Sequence, residues 1–421
     1  MHPNALVELA AELLRSVLRF EQPADAVVSA FFRSHRALGA RERHALAETT
    51  YAVLRRRLLF EHLARGAGGA LERRLALLGW QGEPAVLERA LATQAGERQW
   101  LAAAQAVDRD ALPEKLRHNL PDWLAGALKA ERGEDFWPLV RALDAPAPLD
   151  LRVNTLKARR DEACAALAGE GVAAEPTPYS PWGLRVQGKP ALHKLALFTG
   201  GAIEVQDEGS QLLALLTDPK RGEMVVDFCA GAGGKTLALG AAMRNTGRLY
   251  AFDVSGHRLA AFKPRLARSG LANVHPVQIA HERDERVRRL AGKIQRVLVD
   301  APCSGLGTLR RNPDLKWRQS PQAVAELRVK QQAILAAAAR LLAPGGRLVY
   351  ATCSLLEAEN EAVAGAFEAQ AEGAFERLPV APLLEAAGVA RADELAEGDA
   401  LRLGPHRHGT DGFFACAWRR R

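Results

Sequence analysis

Apolar residues follow two different periods along this chain. From residue 1 to about 120 they recur every three or four positions. Leu6, Ala10, Leu13 and Val17 share one helical face, and Ala47, Tyr51, Leu54 and Leu58 share another. This predicts an all-helical region, 1–120. Pro113 and Pro121 then interrupt the period, which resumes as a helix near Trp123–Ala130. After an Ala/Pro-rich link at 145–148, Leu149–Asn154 alternates apolar and polar positions, as a half-buried strand does. A helix over Arg160–Gly169 and a strand over Gly183–Gln187 complete a small α/β segment within 121–200. From Ile203 short apolar runs alternate with helical stretches. Strands are predicted at Met224–Phe228, Arg248–Phe252, Val274–Ile279, Val297–Asp300 and Arg347–Ala351. Helices are predicted near Thr236–Met243, His257–Ser269 and Pro321–Leu342, the last capped by Ser320 and stopped by Gly345-Gly346. The pattern over 201–421 is that of an α/β domain with a doubly wound, mostly parallel sheet. Gly412–Trp418 is expected to close it on its far side.

Between the first strand and helix of that domain lies Cys229-Ala230-Gly231-Ala232-Gly233-Gly234-Lys235-Thr236. Such a strand, glycine turn and helix form the entry to a nucleotide-binding unit. A triphosphate loop requires glycine at 229, which is cysteine. A dinucleotide fingerprint fits Gly231 and Gly233, but its third glycine position is Thr236. S-adenosylmethionine is the third reading, because its zwitterionic end can dock on exposed backbone N–H groups without a triphosphate nest. A turn holding no ligand is the bland alternative.

Composition narrows the class only modestly. The 421 residues are 48% hydrophobic and 25% charged, ordinary for a globular protein, and no apolar run reaches the length of a membrane span. The beginning of the chain lacks the layout of a signal peptide, which leads to an expectation of a cytoplasmic protein with no membrane partner. The formal charge of +8 suits a nucleic acid partner. The cysteines are 164, 229, 303, 353 and 416, an odd number without a Cys-x-x-Cys pair, so neither a disulfide framework nor a metal site is expected.

Two acids end strands of this unit. Asp253 stands where a carboxylate accepts from ribose hydroxyls, and Asp300 faces the same crevice. Asp300-Ala-Pro-Cys303-Ser presents a thiol on a rigid loop, and Tyr350-Ala-Thr-Cys353-Ser presents a second after the next strand. Each cysteine alone reads as a small buried hydrophobe. Paired beside a cofactor turn, they suit methylation at C5 of cytosine or uracil. That carbon is a poor nucleophile until a thiolate adds to C6.

These motifs, in this order, resemble the RNA cytosine-C5 methyltransferases of the Fmu/Sun family. The resemblance spans about Leu149–Trp418. It includes Arg152-Val-Asn154, Val205–Gln211, the glycine turn, Arg310-Arg-Asn-Pro-Asp-Leu-Lys-Trp317, Glu359-Asn360 and Thr410–Phe414. It implies a class I methyltransferase fold with S-adenosylmethionine as cofactor and RNA, expected to be ribosomal, as substrate. By the same resemblance Cys353 is the nucleophile and Cys303 assists release. Residues 229–235 and Arg258 hold the cofactor, Asp253 its ribose, and Asp300 the cofactor or base. Two departures stand out. Gly231-Ala232 replace the family's Ala-Pro, and the acid expected after the third strand is missing, with Glu282 or Asp284 as candidates to replace it. The helical region resembles a shortened NusB-like RNA-binding domain, with Tyr51-Ala-Val-Leu-Arg-Arg56 as its local echo.

Arg152, Arg310, Arg311, Lys316 and Trp317 are the candidate RNA contacts, cations for phosphate and Trp317 for base stacking or for the core. Arg55-Arg56-Arg57 form either a solvated face or a further contact. Arg283, Arg286, Arg288 and Arg289, interleaved with acids, read as a solvated helix face. Nothing demands more than a monomer. The alternatives to an RNA methyltransferase are an RNA-binding or ribosome-assembly factor that keeps the fold without catalysis, and an NAD-dependent oxidoreductase.

Overall fold

The computed structural model describes residues 2–66, 68–92 and 94–421. The chain forms two compact units, Met1–Ala145 with Leu309–Ser320, and Pro146–Thr308 with Pro321–Arg421. No helix among the described residues is long and apolar enough to cross a membrane.

Helix Pro3–Val17 buries Leu6, Ala10, Leu13 and Val17, the stripe its sequence predicts. It packs on helices Ala40–Arg55, Leu71–Leu78 and Pro84–Leu91. The second stripe is rotated from its expected place. Leu54 is buried, but Ala47, Tyr51 and Leu58 are only half-buried, and the face turned inward carries Leu46, Thr49, Thr50 and Val53. Two threonines disguise that face. The Thr50 hydroxyl donates to Leu46 O (2.8 Å), and Thr49 Oγ1 accepts from Gln81 N (3.1 Å), so both are satisfied while buried. The helix also stops at Arg55, which puts Leu58 on the next helix, Arg57–Leu63.

In the second unit, β1 (Leu149–Val153), β2 (Ala174–Pro176), β3 (Gly183–Val186) and β4 (Ile203–Val205) make an antiparallel sheet in the order β2-β3-β1-β4. Leu151, Val153, Leu184 and Ile203 pack there with Ala163 and Leu167 of helix Arg160–Gly169.

The main sheet contains β5 (Met224–Asp227), β6 (Arg248–Asp253), β7 (Val274–Gln278), β8 (Ile294–Asp300) and β9 (Leu342–Thr352), parallel in the order β9-β8-β5-β6-β7. Strand periodicity sends alternate residues to opposite faces. Val225, Leu298 and Val349 enter one core with Leu212 and Leu237 from helices Glu208–Thr217 and Gly234–Ala242. Val226, Val297 and Tyr350 enter the other with Ile334 and Val363 from helices Pro321–Ala339 and Glu361–Gln370. Covering both faces explains why the strands read as nearly continuous apolar runs.

Beyond β9 the sheet continues through β10 (Phe375–Leu378), β11 (Ala396–Glu397), β12 (Ala400–Leu403) and β13 (Phe413–Arg420). β13 lies antiparallel beside β9 and carries β10 and β12 on its other side, so the closing strand is internal. The sequence places the end of helix 321–342 too late. The helix ends at Ala339, and Pro344-Gly345-Gly346 lie within β9, next to an irregular register at Ile294/Arg296.

Candidate active site

The site lies at the C-terminal ends of β5, β6, β8 and β9. β5 ends at Asp227, which is fully buried. Thr236 Oγ1 donates to its Oδ2 at 2.6 Å, while Oδ1 has no hydrogen-bond partner among the described residues. Burial pushes this carboxyl up to about 7. The turn between them is shaped by glycine. Gly231 and Gly233 have φ of +55° and +79°. A Cβ on Gly233 would sit 2.0 Å from the Phe262 ring, whereas one on Gly231 would meet open space. Gly231 N donates to Asp253 Oδ2 (2.8 Å), and Ala230 N donates to Phe252 O (2.9 Å), so the turn is tied to the end of β6. Cys229 is half-buried, and burial raises its thiol well above the usual range. Ala232 is exposed, its carbonyl held by Arg265. Gly234 opens the following helix.

Lys235, also in that first turn, reaches across to Asp300 at the end of β8, Nζ to Oδ2, 2.8 Å. Burial works against its charge, but the Asp300 carboxylate outweighs it and holds the ammonium above the ordinary lysine value. Arg258 is exposed one turn beyond Asp253, its N–H capped by Ser255 Oγ. Of the two acids that could replace the missing one, Asp284 is already engaged, accepting from Ala280 N and Arg286 N. Glu282 remains, paired with Arg283 at 3.1 Å.

Sheet register brings the two thiols together. Asp300 of β8 is level with Ala351 of β9. Cys303 follows three residues after the one and Cys353 two residues after the other, and their Sγ atoms lie 3.4 Å apart. Hydrogen bonding to Cys353, with burial, raises the Cys303 thiol well above its usual range. The two sulfurs are within hydrogen-bond distance of one another, and either thiol can be the donor.

Glu359, buried completely, fastens both loops. Its Oε1 accepts from Ser304 N (2.8 Å) and Gln331 Nε2 (2.9 Å). Its Oε2 accepts from Ser304 Oγ and Ser354 Oγ, both at 2.5 Å. Asn360 adds a tie to Ser354 O (3.1 Å) and receives the Thr352 hydroxyl (2.5 Å). Gly307 N donates to Cys353 O (2.8 Å) and Gly412 N to Gly307 O (2.9 Å), an approach in which a Cβ on Gly307 would lie 2.1 Å from Gly412 O. The sequence marks Glu359-Asn360 as a motif without giving it this role. The available signal is an acid eight residues beyond an apolar strand end, with a serine after each cysteine.

The nucleic-acid candidates need correction. Arg152 is buried on β1, donating to Gln206 Oε1 at 2.6 Å, and burial lowers its guanidinium to about 10 despite Glu204. Arg310 and Lys316 are also buried, within the helical unit. Lys316 Nζ donates to Arg55 O (2.7 Å) and Trp317 Nε1 to Leu54 O (2.8 Å), capping the open carbonyls at the end of helix Ala40–Arg55. Trp317 is half-buried under Arg57, and Arg311 is half-buried in the same segment. Arg55, Arg56 and Arg57 are engaged with Arg310 O, Asp144 and Glu61. Structural duties thus hold Arg152, Arg310 and Lys316 away from solvent, and none offers its charge to a phosphate. Arg283, Arg286, Arg288 and Arg289 are exposed, as their interleaving with acids predicts.

Comparison with known proteins now adds an independent line. The profile of the family described as 16S rRNA methyltransferase RsmB/F matches residues 214–419, and that of its ferredoxin-like domain matches 120–193. A probable ribosomal RNA small subunit methyltransferase B of Synechocystis sp. is 35% identical over 310 residues, covering 73% of this chain and 68% of the relative. The chain belongs to the RsmB/F methyltransferase family. A crystal structure of PH0851 superposes with a TM-score of 0.81 at 25% identity, covering 100% of this chain and 99% of the other. A methyltransferase homolog from Pyrococcus horikoshii gives 0.63 at 30% identity, covering 75% and 100%. The RsmB/F fold and the cofactor S-adenosylmethionine are therefore established for this chain. Its site fits that cofactor: glycine backbone at the turn, Asp253 for hydroxyls, and an orphan Asp227 oxygen suited to an ammonium group. The oxidoreductase alternative falls with the family match.

Proposed function

We propose that this RsmB/F protein methylates C5 of a cytosine in ribosomal RNA through a covalent adduct at Cys353. The observation that carries the reading is the pair of sulfurs 3.4 Å apart beside the Lys235–Asp300 ion pair. Residues 229–235, Asp253 and Asp300 would hold the cofactor, which supplies an electrophilic methyl group on a sulfonium. In this reading Cys303 donates to Cys353 Sγ, and the Lys235 ammonium interacts with the same sulfur. Its addition to C6 forms the S–C6 bond and moves the C5=C6 electron pair to C5, which then takes the methyl. Loss of the C5 proton to a solvent water re-forms the C5=C6 bond and expels Cys353 Sγ. Cys303, holding a proton 3.4 Å away, assists that departure. Residues 1–120 serve as the RNA-binding region in this reading.

The test is transfer of labelled methyl to protein-free small-subunit rRNA, followed by digestion to nucleosides. The label is expected in 5-methylcytidine. Label in any other nucleoside would overturn the assignment.

A further inference from the structure

At the opposite end of the main sheet from the cysteines, two cavities of about 370 Å³ and 200 Å³ share Thr155, Trp182 and Arg244 as walls. Arg221, just before β5, lines the larger cavity, and Arg159 and Arg160 line the smaller. Arg159, Arg221 and Arg244 are exposed. Among the described residues, the guanidiniums of Arg159 and Arg221 pair with no carboxylate, although Arg159 N donates to Glu162 Oε2 at 2.9 Å, and the Arg244 guanidinium reaches only Thr155 O, at 3.4 Å. Arg160 donates to Ser180 O at 3.2 Å and lies 4.0 Å from Asp161. Lys220 is neutralised by Asp218. The helix from the glycine turn to Arg244 has nine residues, so its ends are roughly 14 Å apart. Trp182 packs one side on the core and leaves the other to both cavities.

We propose that this surface anchors a single-stranded segment of the RNA substrate remote from the target base, with a base against Trp182 and phosphates on Arg159, Arg221 and Arg244. Unpaired guanidiniums around a half-buried indole combine the two elements of single-strand recognition, charge along the backbone and a sequence-tolerant stacking face. The enzyme would thereby hold its RNA at two separated points. This anchor rests on the reading of the protein as an RNA methyltransferase.

The probe is a labelled, cytosine-free single-stranded RNA of about 20 nucleotides, long enough to span one binding groove, and its binding is followed by anisotropy across a salt series. An Arg159→Ala/Arg221→Ala double variant should bind about tenfold more weakly, with a salt slope shallower by about 1.4. Arg244→Gly, which removes the charge and suits the residue's φ of +54°, should also weaken binding. Trp182→Leu should lower affinity without changing the salt slope. Cofactor affinity should be unchanged in all three. Affinities within twofold of wild type with an unchanged slope would overturn the proposal, as would displacement of the probe by polyglutamate as effective as by RNA at equal charge. If the variants lose the probe while wild type methylates no rRNA, the anchor stands and the methylation reading falls. If rRNA is methylated but the variants bind the probe normally, the reverse holds.

Discussion

Replacing Glu359 tests whether the two thiols are held by one buried carboxylate. Glu359→Ala strips four donors of their acceptor. One serine hydroxyl can donate to the other, 3.2 Å away, but the second hydroxyl, Ser304 N and the Gln331 N–H are left without an acceptor. Each buried donor left unpaired costs about 1–3 kcal/mol. The loss is therefore about 3–9 kcal/mol, and a central value of about 6 kcal/mol lowers Tm by about 12–24 °C for a unit of this size. Glu359→Gln keeps one oxygen for Ser304 N and Gln331 and can donate its amide to the hydroxyls. It forfeits mainly the charge assistance, about 1–2 kcal/mol. Scanning calorimetry and single-turnover methyl transfer on rRNA should both rank wild type above Gln and Gln above Ala. Loosening of the cysteine loops by about 1 Å should lower the Ala rate on the order of 100-fold, with cofactor affinity within about twofold. An Ala variant with the wild-type Tm and rate would refute the idea that Glu359 sets the cysteine geometry.

Other consequences follow from the same geometry. Saturating S-adenosylmethionine, at about 100 times its Kd, should stabilise the wild type by about 2.7 kcal/mol. Asp253→Ala should lose most of that thermal shift, and an undiminished shift would exclude Asp253 from the cofactor site. Lys316, lowered to about 7 by burial, lies below its unfolded value, so the unfolded chain binds the extra proton. Its penalty is full below pH 7 and fades as pH rises toward 10.5, with an upper bound of about 5 kcal/mol. Lys316→Met should therefore raise Tm most at or below pH 7, flatten the rise in stability between pH 7 and 10, and leave RNA affinity unchanged. A loss of RNA affinity in that variant would return Lys316 to the nucleic-acid surface.

The sequence made the catalytic end of the sheet legible because strand ends are local features. Asp253 and Asp300 each close an apolar run, and the glycine turn and both cysteines follow strand ends. Long-range contacts were not legible. Lys316 and Trp317 carry the charge and ring expected of an RNA contact, yet they cap helix Ala40–Arg55, which lies some 260 residues earlier. Arg152 alternates with apolar neighbours on β1 and so faces away from Leu151 and Val153, but that second face is covered as well, by Gln206. Thr49 and Thr50 break the apolar period of their helix because buried hydroxyls can be satisfied within it or by a segment 32 residues on. The Glu359 hub needs three separate segments to meet, and the helix that brings Gln331 carries no motif.

The central claim is that Cys353 attacks and Cys303 releases. Its most direct test is a denaturing gel of the protein incubated with S-adenosylmethionine and small-subunit rRNA, comparing wild type, Cys303→Ala and Cys353→Ala. Cys303→Ala should accumulate a protein–RNA species that survives denaturation, and Cys353→Ala should form none and transfer no methyl. A Cys353→Ala protein that methylates as well as wild type would contradict the account.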